Sequence, residues 1–348
     1  MKKLLLVLVL VVVSSVILLG AAGCSSSGTE GTTTTSGDGE TAGGKPFYED
    51  RTITLICAFP PGGGYDSYAR LVAKNMEEYL PGSTIIVKNV PQAGSIVGTN
   101  EIYRAEPDGL TFGTFARGLP FSQVAGQEGV EFDLAKMSWL GSPATSTYTL
   151  FVTDEFKSIE DVATADDVKL TAGGVGDTNY IVPMLVKEMT GWNIDVLTGW
   201  VGGERDLAMQ RGEVAGRFGS WSGLDELTES GVGHPIMFVG KRPAGYEEVP
   251  VLQDVVKGEE YQSVVSILGA ITELGRPFAG PPGIPEDRLS ILREAFDNAV
   301  QDPKFIDQAS AMGLQPDLVN YARAEELIES ALGLSPQMVE LLKAVYAP

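Results

Sequence analysis

The most informative stretch of this sequence is Phe59-Pro60-Pro61-Gly62-Gly63-Gly64-Tyr65-Asp66. An apolar run rich in β-forming residues, 52–59, leads into the glycines, and a helical pattern, 66–79, follows them. A strand, a Gly-rich turn and a helix are therefore predicted in that order. Glycines allow backbone amides to approach a ligand, and a helix N-terminus favours an anion, so this turn is predicted to form half of an anion site. Asp66 either caps the helix or contacts the ligand.

Strand and helix patterns alternate along the rest of the folded part, which predicts parallel sheets with helices on their faces. The alternation begins again after Pro143, so two similar α/β lobes are expected. Further strands are predicted at 83–89, 109–115, 147–153, 168–172, 195–198 and 267–278. Further helices are predicted at 94–106, 158–163, 179–190, 285–301 and 304–312, with terminal helices over 322–345.

A second Gly-rich turn, Gly173-Gly174-Val175-Gly176-Asp177-Thr178-Asn179, also lies between a predicted strand and a predicted helix. It is either an ordinary turn or the opposite half of the ligand site. In the second case, helix N-termini that face each other from two lobes would hold both ends of one carboxylate ligand. Further along, Trp200 stands close to two glycines and either lines a cleft or packs in a core.

Motifs for catalysis and cofactor binding are missing from the sequence. The glycines of residues 59–66 are not followed by a Lys as in a phosphate-binding loop, and they lack the GxGxxG spacing of a dinucleotide site. The single histidine, His234, reads as a surface loop residue, and Cys57 reads as a small buried hydrophobe. A net charge of −21 argues against nucleic acid as a partner. No catalytic residue, metal or cofactor is expected.

The N-terminal region has the pattern of an export sequence. Lys2 and Lys3 precede the apolar run 4–19, which predicts a secretory signal peptide over residues 1–23. The following Gly20-Ala21-Ala22-Gly23-Cys24 resembles a lipobox, with Ala21 where Leu is commoner, so Cys24 is predicted to carry lipid. The alternative is a transmembrane helix. Residues 24–46 are rich in Ser, Thr and Gly and are predicted to form a tether.

These stretches together resemble the solute receptors of the tripartite tricarboxylate transporters, the Bug-type receptors. The resemblance rests first on the Pro-Pro-Gly-Gly-Gly-Tyr-Asp run of residues 60–66 and on Ala105-Glu106-Pro107-Asp108-Gly109-Leu110-Thr111. It extends through residues 173–178, Trp200-Val201-Gly202-Gly203 and Ala279-Gly280-Pro281-Pro282-Gly283-Ile284-Pro285. It therefore covers nearly all of the chain after the tether.

The resemblance implies a two-lobed periplasmic-binding-protein fold with two crossovers, in which each lobe is a mainly parallel sheet flanked by helices. Residues 47–148 and 270–348 would form the first lobe, and residues 149–269 the second. The crossovers would fall near 147–152 and 267–278. A ligand carboxylate would be held between residues 61–66 and 173–179, with Thr114 beside them.

The chain departs from the family pattern at some site positions. Family members often carry Ser and His in the second Gly-rich turn, where this chain has Asp177 and Asn179. After Gly212-Glu213-Val214 the run is Ala215-Gly216-Arg217-Phe218-Gly219-Ser220-Trp221, which places Arg217 and Ser220 where the cleft is expected. Arg217 and Arg117 each either bind a second carboxylate or are ion-paired elsewhere.

The expected function is capture of a small organic carboxylate between the lobes and its delivery to the integral membrane subunits of a secondary transporter. An aliphatic di- or tricarboxylate would rely on arginines, whereas Tyr65, Phe115, Trp200 and Trp221 would suit an aromatic acid. Presentation of the ligand to a membrane sensor is the nearest alternative, and a secreted hydrolase is another. The chain is expected to be extracytoplasmic, lipid-anchored and monomeric.

Overall fold

The computed structural model describes residues 45–175, 177–200 and 202–346. The predicted signal peptide, the predicted lipid attachment at Cys24 and nearly all of the predicted tether lie outside the described residues. No helix in these described ranges is long and apolar enough to cross a membrane. The chain from Lys45 onward forms one compact unit.

Strands and helices alternate over most of this unit. The strands are β1 (Thr52–Cys57), β2 (Thr84–Asn89), β3 (Thr111–Thr114), β4 (Ser138–Ser142), β5 (Tyr148–Val152), β6 (Val168–Ala172), β7 (Ile194–Thr198), β8 (Gly216–Ser220), β9 (His234–Val239), β10 (Phe278–Gly280) and β11 (Val319–Asn320). The helices are α1 (Gly64–Met76), α2 (Ile96–Tyr103), α3 (Leu119–Ala125), α4 (Ile159–Thr164), α5 (Thr178–Thr190), α6 (Glu204–Gln210), α7 (Asp225–Glu229), α8 (Leu252–Val255), α9 (Gln262–Leu274), α10 (Glu286–Gln301), α11 (Pro303–Ala311), α12 (Tyr321–Leu332) and α13 (Pro336–Tyr346).

Two separate sheets confirm the predicted α/β class. The first sheet has the strand order β11-β4-β10-β3-β1-β2 and the second has the order β7-β6-β8-β5-β9. Helices cover both faces of β1, and its residues are accordingly buried in an almost unbroken run.

The sheets are mixed rather than mainly parallel, which corrects the expected strand directions. β1 is parallel to β2 and β3, whereas β10 is antiparallel to β3 and β4. In the second sheet β6 is parallel to β7 and β8, whereas β5 is antiparallel to β8 and β9. The physical reason is connectivity, because β5 follows β4 of the first sheet and β10 follows α9, which packs on the second sheet, so neither strand follows a helix that covers its own sheet.

The prediction of a strand over residues 267–278 is wrong for most of that stretch. Helix α9 occupies Gln262–Leu274, and only Phe278–Gly280 forms a strand. The buried apolar residues of α9 recur every three or four positions, which is the spacing of one helix face. They are Val264, Val265, Ile267, Leu268, Ile271 and Leu274.

Helix α13 packs on the second sheet, whereas the rest of the C-terminal stretch joins the first sheet. Met338, Leu342 and Val345 of α13 lie in the core of the second sheet, together with Phe121 of α3. The predicted division placed these helices with the first lobe, so the boundaries at 148 and 270 remain a proposal. Structurally, α3 and α13 link the two sheets in addition to the crossovers.

The two crossovers touch each other between the sheets. The first crossover is residues 143–147, before β5, and the second is residues 275–277, before β10. Arg276 Nη1 on the second crossover donates to Ser146 Oγ on the first at 3.3 Å. The Ser146 N–H also donates to the Thr272 carbonyl at the end of α9, and the Arg276 N–H donates to Ser142 Oγ at the end of β4. The two crossovers are therefore hydrogen-bonded to each other and to the elements beside them.

Candidate functional site

The first glycine loop, residues 60–64, joins β1 to α1 as predicted. Gly63 is the N-cap of α1 and offers no side chain to the helix N–H groups. Gly62 has φ +86°, which favours glycine, and no atom lies within 4 Å of a Cβ built at Gly62 or Gly63. The start of α1 thus carries uncapped N–H groups beside open space, which is suited to an anion.

Asp66 fixes the shape of this loop and is not its N-cap. Its carboxylate accepts from the Gly62 N–H at 2.9 Å, from Asn89 Nδ2 at 2.8 Å and from Arg70 Nε at 2.9 Å. Burial opposes ionisation of Asp66, but these hydrogen bonds outweigh burial and lower the pKa of its carboxyl group. Asp66 is therefore a positioning residue of the loop, and its carboxylate is already engaged.

The stabilising effect of Asp66 is expected to depend on pH. At pH 7, Asp66→Asn should lower the free energy of unfolding by about 1–2 kcal/mol, because the ionised acceptor is lost. The folded-state pKa lies below the unfolded value of about 3.9, so this difference should shrink as the pH falls below about 4. Urea unfolding of both proteins at pH 7 and pH 3 measures it. An equal difference at both pH values would contradict the assignment.

The second glycine loop, residues 173–177, joins β6 to α5. Asp177 caps α5, and its carboxylate accepts from the Asn179 N–H at 3.1 Å. Gly174 borders open space and Val175 is exposed, whereas Gly176 lies outside the described residues. The Asp177 carboxylate therefore caps the N-terminus of α5, whereas Gly63 leaves the N-terminus of α1 without a side-chain cap.

The two halves of the site approach each other beside the second loop. A Cβ built at Gly118, just before α3, would lie 2.6 Å from Thr178 Oγ1. Arg117, the preceding residue, lies with Cζ 4.6 Å from the ring centroid of Tyr148, which begins β5. Its backbone N–H donates to the Tyr65 hydroxyl at 3.3 Å. Arg117 therefore connects the first glycine loop to the second sheet.

Two buried guanidinium groups lie at this junction and form no ion pair with any carboxylate of the described residues. Arg117 is 3% exposed and Arg276 is 8% exposed. Within the described ranges, Nε and Nη1 of Arg117 and Nε of Arg276 have no hydrogen-bond partner. Burial, and then the positive charge of Arg117, lowers the pKa of Arg276. An anion bound beside them would offset both the burial of these charges and their mutual repulsion.

Arg276 was not predicted from the sequence. It lies on the second crossover, donates from Nη1 to Ser146 Oγ at 3.3 Å and has Cζ 4.7 Å from the Tyr68 ring. Its Nη2 would lie 3.1 Å from a Cβ at Gly64, so it borders the first glycine loop. In the sequence, Arg276 is recognisable only as a single arginine near the end of the largely apolar run 267–278.

The remaining predicted site residues of the first sheet differ in their positions. Tyr65 stacks on Phe59 with ring centroids 3.9 Å apart and lies at the junction. Thr114 is buried at the end of β3, and its Oγ1 has no partner among the residues described. Phe115 packs edge-on against Trp139, 5.8 Å away, in the core. The structure does not bring the Phe115 side chain to the site.

The predicted residues of the second sheet are not gathered at the junction. Arg217 is ion-paired with Asp206, with Nε and Oδ1 2.9 Å apart, although this contact lacks hydrogen-bond alignment. Trp200 is half-buried against an apolar cluster, and Ser220 Oγ lies 3.3 Å from Ser222 Oγ. Of the two arginines that the sequence singled out, Arg217 has an ion-pair partner and Arg117 has none among the residues that the structure describes.

Chemically reactive groups lie elsewhere. Cys57 is buried in β1 as predicted, and burial raises the pKa of its thiol to about 11. His234 begins β9 rather than lying in a loop, with Nδ1 3.5 Å from Asp154 Oδ1. The described part of the chain contains no group of three or more His, Cys, Asp or Glu side chains placed to hold a metal ion.

Several known proteins are similar to this chain in sequence. A UPF0065 protein of Bordetella pertussis is 26% identical over 323 residues, which cover 83% of this chain and 92% of the relative. BugT of Bordetella pertussis is 38% identical over 64 residues, and a UPF0065 protein of Pseudomonas sp. strain P51 is 35% identical over 72 residues. These last two matches each span about a fifth of the relative, 19% and 21%.

Solved structures agree in fold. The periplasmic binding protein BugD has a TM-score of 0.65 at 21% identity, covering 86% of this chain and 98% of BugD. MatC from Rhodopseudomonas palustris with bound malate has a TM-score of 0.64 at 17% identity, covering 85% and 99%. Another R. palustris protein, with adipate, has a TM-score of 0.65 at 19% identity, covering 85% and 97%.

The family match extends over most of the folded chain. The pattern of the "Tripartite tricarboxylate transporter family receptor" matches residues 68–342, which include most of α1, the strands β2 to β11 and α12. The two-sheet fold and the order of the glycine loops agree with this assignment. The chain therefore belongs to the receptors of the tripartite tricarboxylate transporter family.

Proposed function

We propose that this chain is an extracytoplasmic solute-binding protein that captures a small organic carboxylate and delivers it to the membrane subunits of a tripartite tricarboxylate transporter. The observation that carries the proposal is the pair of buried guanidinium groups, Arg117 and Arg276, which lack a carboxylate partner. They are set in a chain whose net charge is −21. Acidic side chains are abundant, yet none in the described ranges forms an ion pair with these two groups.

One carboxylate of the ligand would lie at the start of α1. The backbone N–H groups of Gly63 and Gly64 lie at a helix N-terminus without a side-chain cap, and the helix dipole favours negative charge there. The second glycine loop would approach from the opposite side, where Thr178 and Asn179 offer polar side chains. Asp177 would hold that loop in shape by capping α5.

A second carboxylate would lie against the guanidinium group of Arg117. Guanidinium groups match carboxylates in geometry, and a buried cation gains most from such a partner. Malate and adipate, the ligands present in the two R. palustris structures, each carry two carboxylates. We therefore favour an aliphatic di- or tricarboxylate over a monocarboxylate or an aromatic acid.

Binding would close the two halves of the site without chemical change. Arg117 already contacts Tyr148 of the second sheet, and Gly118 already approaches Thr178. The crossovers would act as the hinge of this motion. The chain would thus release its ligand unmodified, and we propose no enzymatic activity. Transport rather than sensing is favoured by membership of a transporter receptor family.

Ligand-dependent stabilisation tests the proposal. The chain from Lys45 onward should be stabilised by di- or tricarboxylates such as malate, adipate and citrate, and much less by propionate, benzoate or neutral sugars. At about a hundred times its Kd, a ligand should add about 2.7 kcal/mol and raise the Tm by several degrees. Thermal unfolding with each compound measures this. Stabilisation by sugars alone would contradict carboxylate binding.

We further propose that residues 1–23 are removed and that Cys24 carries lipid, so residues 24–46 tether a monomer outside the cytoplasmic membrane. The support is the sequence pattern of these residues. Cys24→Ser should abolish lipid attachment and release most of the chain from the membrane fraction. Metabolic labelling with palmitate, followed by fractionation, measures both. Labelling that persists in Cys24→Ser would contradict the lipid site.

A further inference from the structure

A cavity of about 1110 Å³ lies at the hinge and is distinct from the space between the glycine loops. We call it the hinge cavity. Both crossovers contribute to it, through Ser146 and Arg276. Trp221 and Lys241 line it from the second sheet's side, and Gln315 lines it from the segment before β11. None of the glycines of the two loops lines it, so it is not the site proposed for the transported ligand.

The strand order shows which elements border the hinge cavity beside the two crossovers. In the first sheet, β10 leaves the second crossover and separates β3 and β1, which precede the site residues, from β4 and β11. In the second sheet, β5 leaves the first crossover and separates β8 and β6 from β9. The cavity is lined mainly by residues that follow β9 and precede β11, with Tyr68 of α1 and Trp221 after β8. The cavity therefore borders the crossovers without including either glycine loop.

The charged side chains of the cavity leave positive charge unpaired. Arg323 is held by Glu273, with Nε and Oε1 2.7 Å apart, and Asp317 accepts from Thr145 Oγ1 at 2.7 Å. Arg242 is paired with Asp254 at 3.4 Å. The other two cations are Lys241 and Arg276, and neither has an ion-pair partner among the residues described. Among the described residues, Asp317 is thus the one acid of the lining without an ion pair, against two such cations, so the lining keeps a net positive charge.

We propose that the hinge cavity is a second ligand site, which binds a small anion through a carboxylate or phosphate group. Arg276 is the strongest support, because it lines the cavity, is more than nine-tenths buried and has no ion-pair partner in the described part of the chain. Lys241 supplies a second, exposed cation of the lining. The cavity volume of about 1110 Å³ is slightly larger than the roughly 300–1,000 Å³ of typical small-molecule sites.

An anion in the hinge cavity would be coupled to the transported ligand. Arg276 borders both spaces, since its Nη2 lies against Gly64 while its side chain also lines the cavity. An occupant would also contact both crossovers, about which the lobes rotate. By linkage, each ligand would change the affinity for the other by the same factor. An anion in the cavity would thereby change the affinity for the transported ligand. This effect rests on the proposed function.

Titration with inorganic phosphate tests this proposal. Phosphate should bind the protein that is already saturated with its best carboxylate from the stabilisation panel. The Kd for phosphate should rise about tenfold in Lys241→Gln, because one charged partner is lost. Lys257→Gln is the matched control, since Lys257 is exposed and does not line the cavity, and it should leave the Kd unchanged. Isothermal titration calorimetry measures all three proteins.

The outcomes separate this site from the transport site. Arg117→Met should weaken carboxylate binding and leave phosphate binding in place. If no carboxylate binds, the proposed function fails, and the phosphate titration of the free protein still tests the hinge cavity. Absence of phosphate binding in the wild-type protein, or an unchanged Kd in Lys241→Gln, would overturn the second site.

Discussion

Replacing Gly275 by alanine is expected to lower the free energy of unfolding by roughly 3 kcal/mol or more. Gly275 has φ +58°, and an added Cβ would lie 1.6 Å from the Ala144 carbonyl oxygen and 3.0 Å from Thr145 Cα. Both contacts are with the backbone of the first crossover, which cannot rotate away as a side chain would. Relief requires that the two crossovers move apart.

The control separates the clash from the cost of the backbone conformation. Gly231 has φ +71° and no atom within 4 Å of an added Cβ, so Gly231→Ala carries the conformational cost alone, about 1–2 kcal/mol. Thermal and urea unfolding should show a Tm about 5–10 °C lower for Gly275→Ala than for the wild type, and a smaller loss for the control. Equal losses would show that the crossovers are not in tight contact.

Arg117→Met is expected to weaken binding of the carboxylate about hundredfold. The guanidinium is buried between Tyr65 and Tyr148 and pairs with no carboxylate of the described residues. The same change should raise the stability of the ligand-free protein by roughly 1 kcal/mol, because a buried unpaired charge is replaced by an apolar side chain of similar length. Lower affinity with higher stability distinguishes a ligand-binding arginine from a structural one.

Calorimetric titration and thermal unfolding of the same preparations measure the two effects. Arg104→Met is the matched control, because Arg104 is exposed and pairs with Glu131 at 2.8 Å on the surface. It should change neither quantity by more than about 0.5 kcal/mol. Lower stability of Arg117→Met without a change in affinity would assign Arg117 to the fold alone.

The parts of the fold that local sequence determines were predictable. The apolar run of β1 ends at glycines and a helical pattern begins directly after them, so the first glycine loop follows from neighbouring residues. The same holds for β6, the second glycine loop and α5. Cys57 also follows from its apolar surroundings, and its burial is confirmed.

The parts that depend on distant contacts were not predictable. Arg276 joins the site because the second crossover packs on the first, and nothing near residue 276 reveals that contact. Arg217 is ion-paired with Asp206, a partner on α6 rather than on its own strand. Strand direction in the sheets likewise depends on where the chain crosses between them. Helix α9 is rich in β-branched residues, which favour a strand, and this composition obscures the helical spacing of its apolar residues.

Binding of a carboxylate at the first glycine loop is tested most directly by the amide resonances of the protein. The ¹H–¹⁵N signals of Gly62, Gly63 and Gly64 should shift on titration with the best carboxylate of the panel, and the shifts should saturate at one ligand per chain. The Gly174 signal should follow as the second loop closes. Unchanged signals at residues 62–64, with shifts instead at Gly240 and Gly269 of the hinge cavity, would contradict the proposed site.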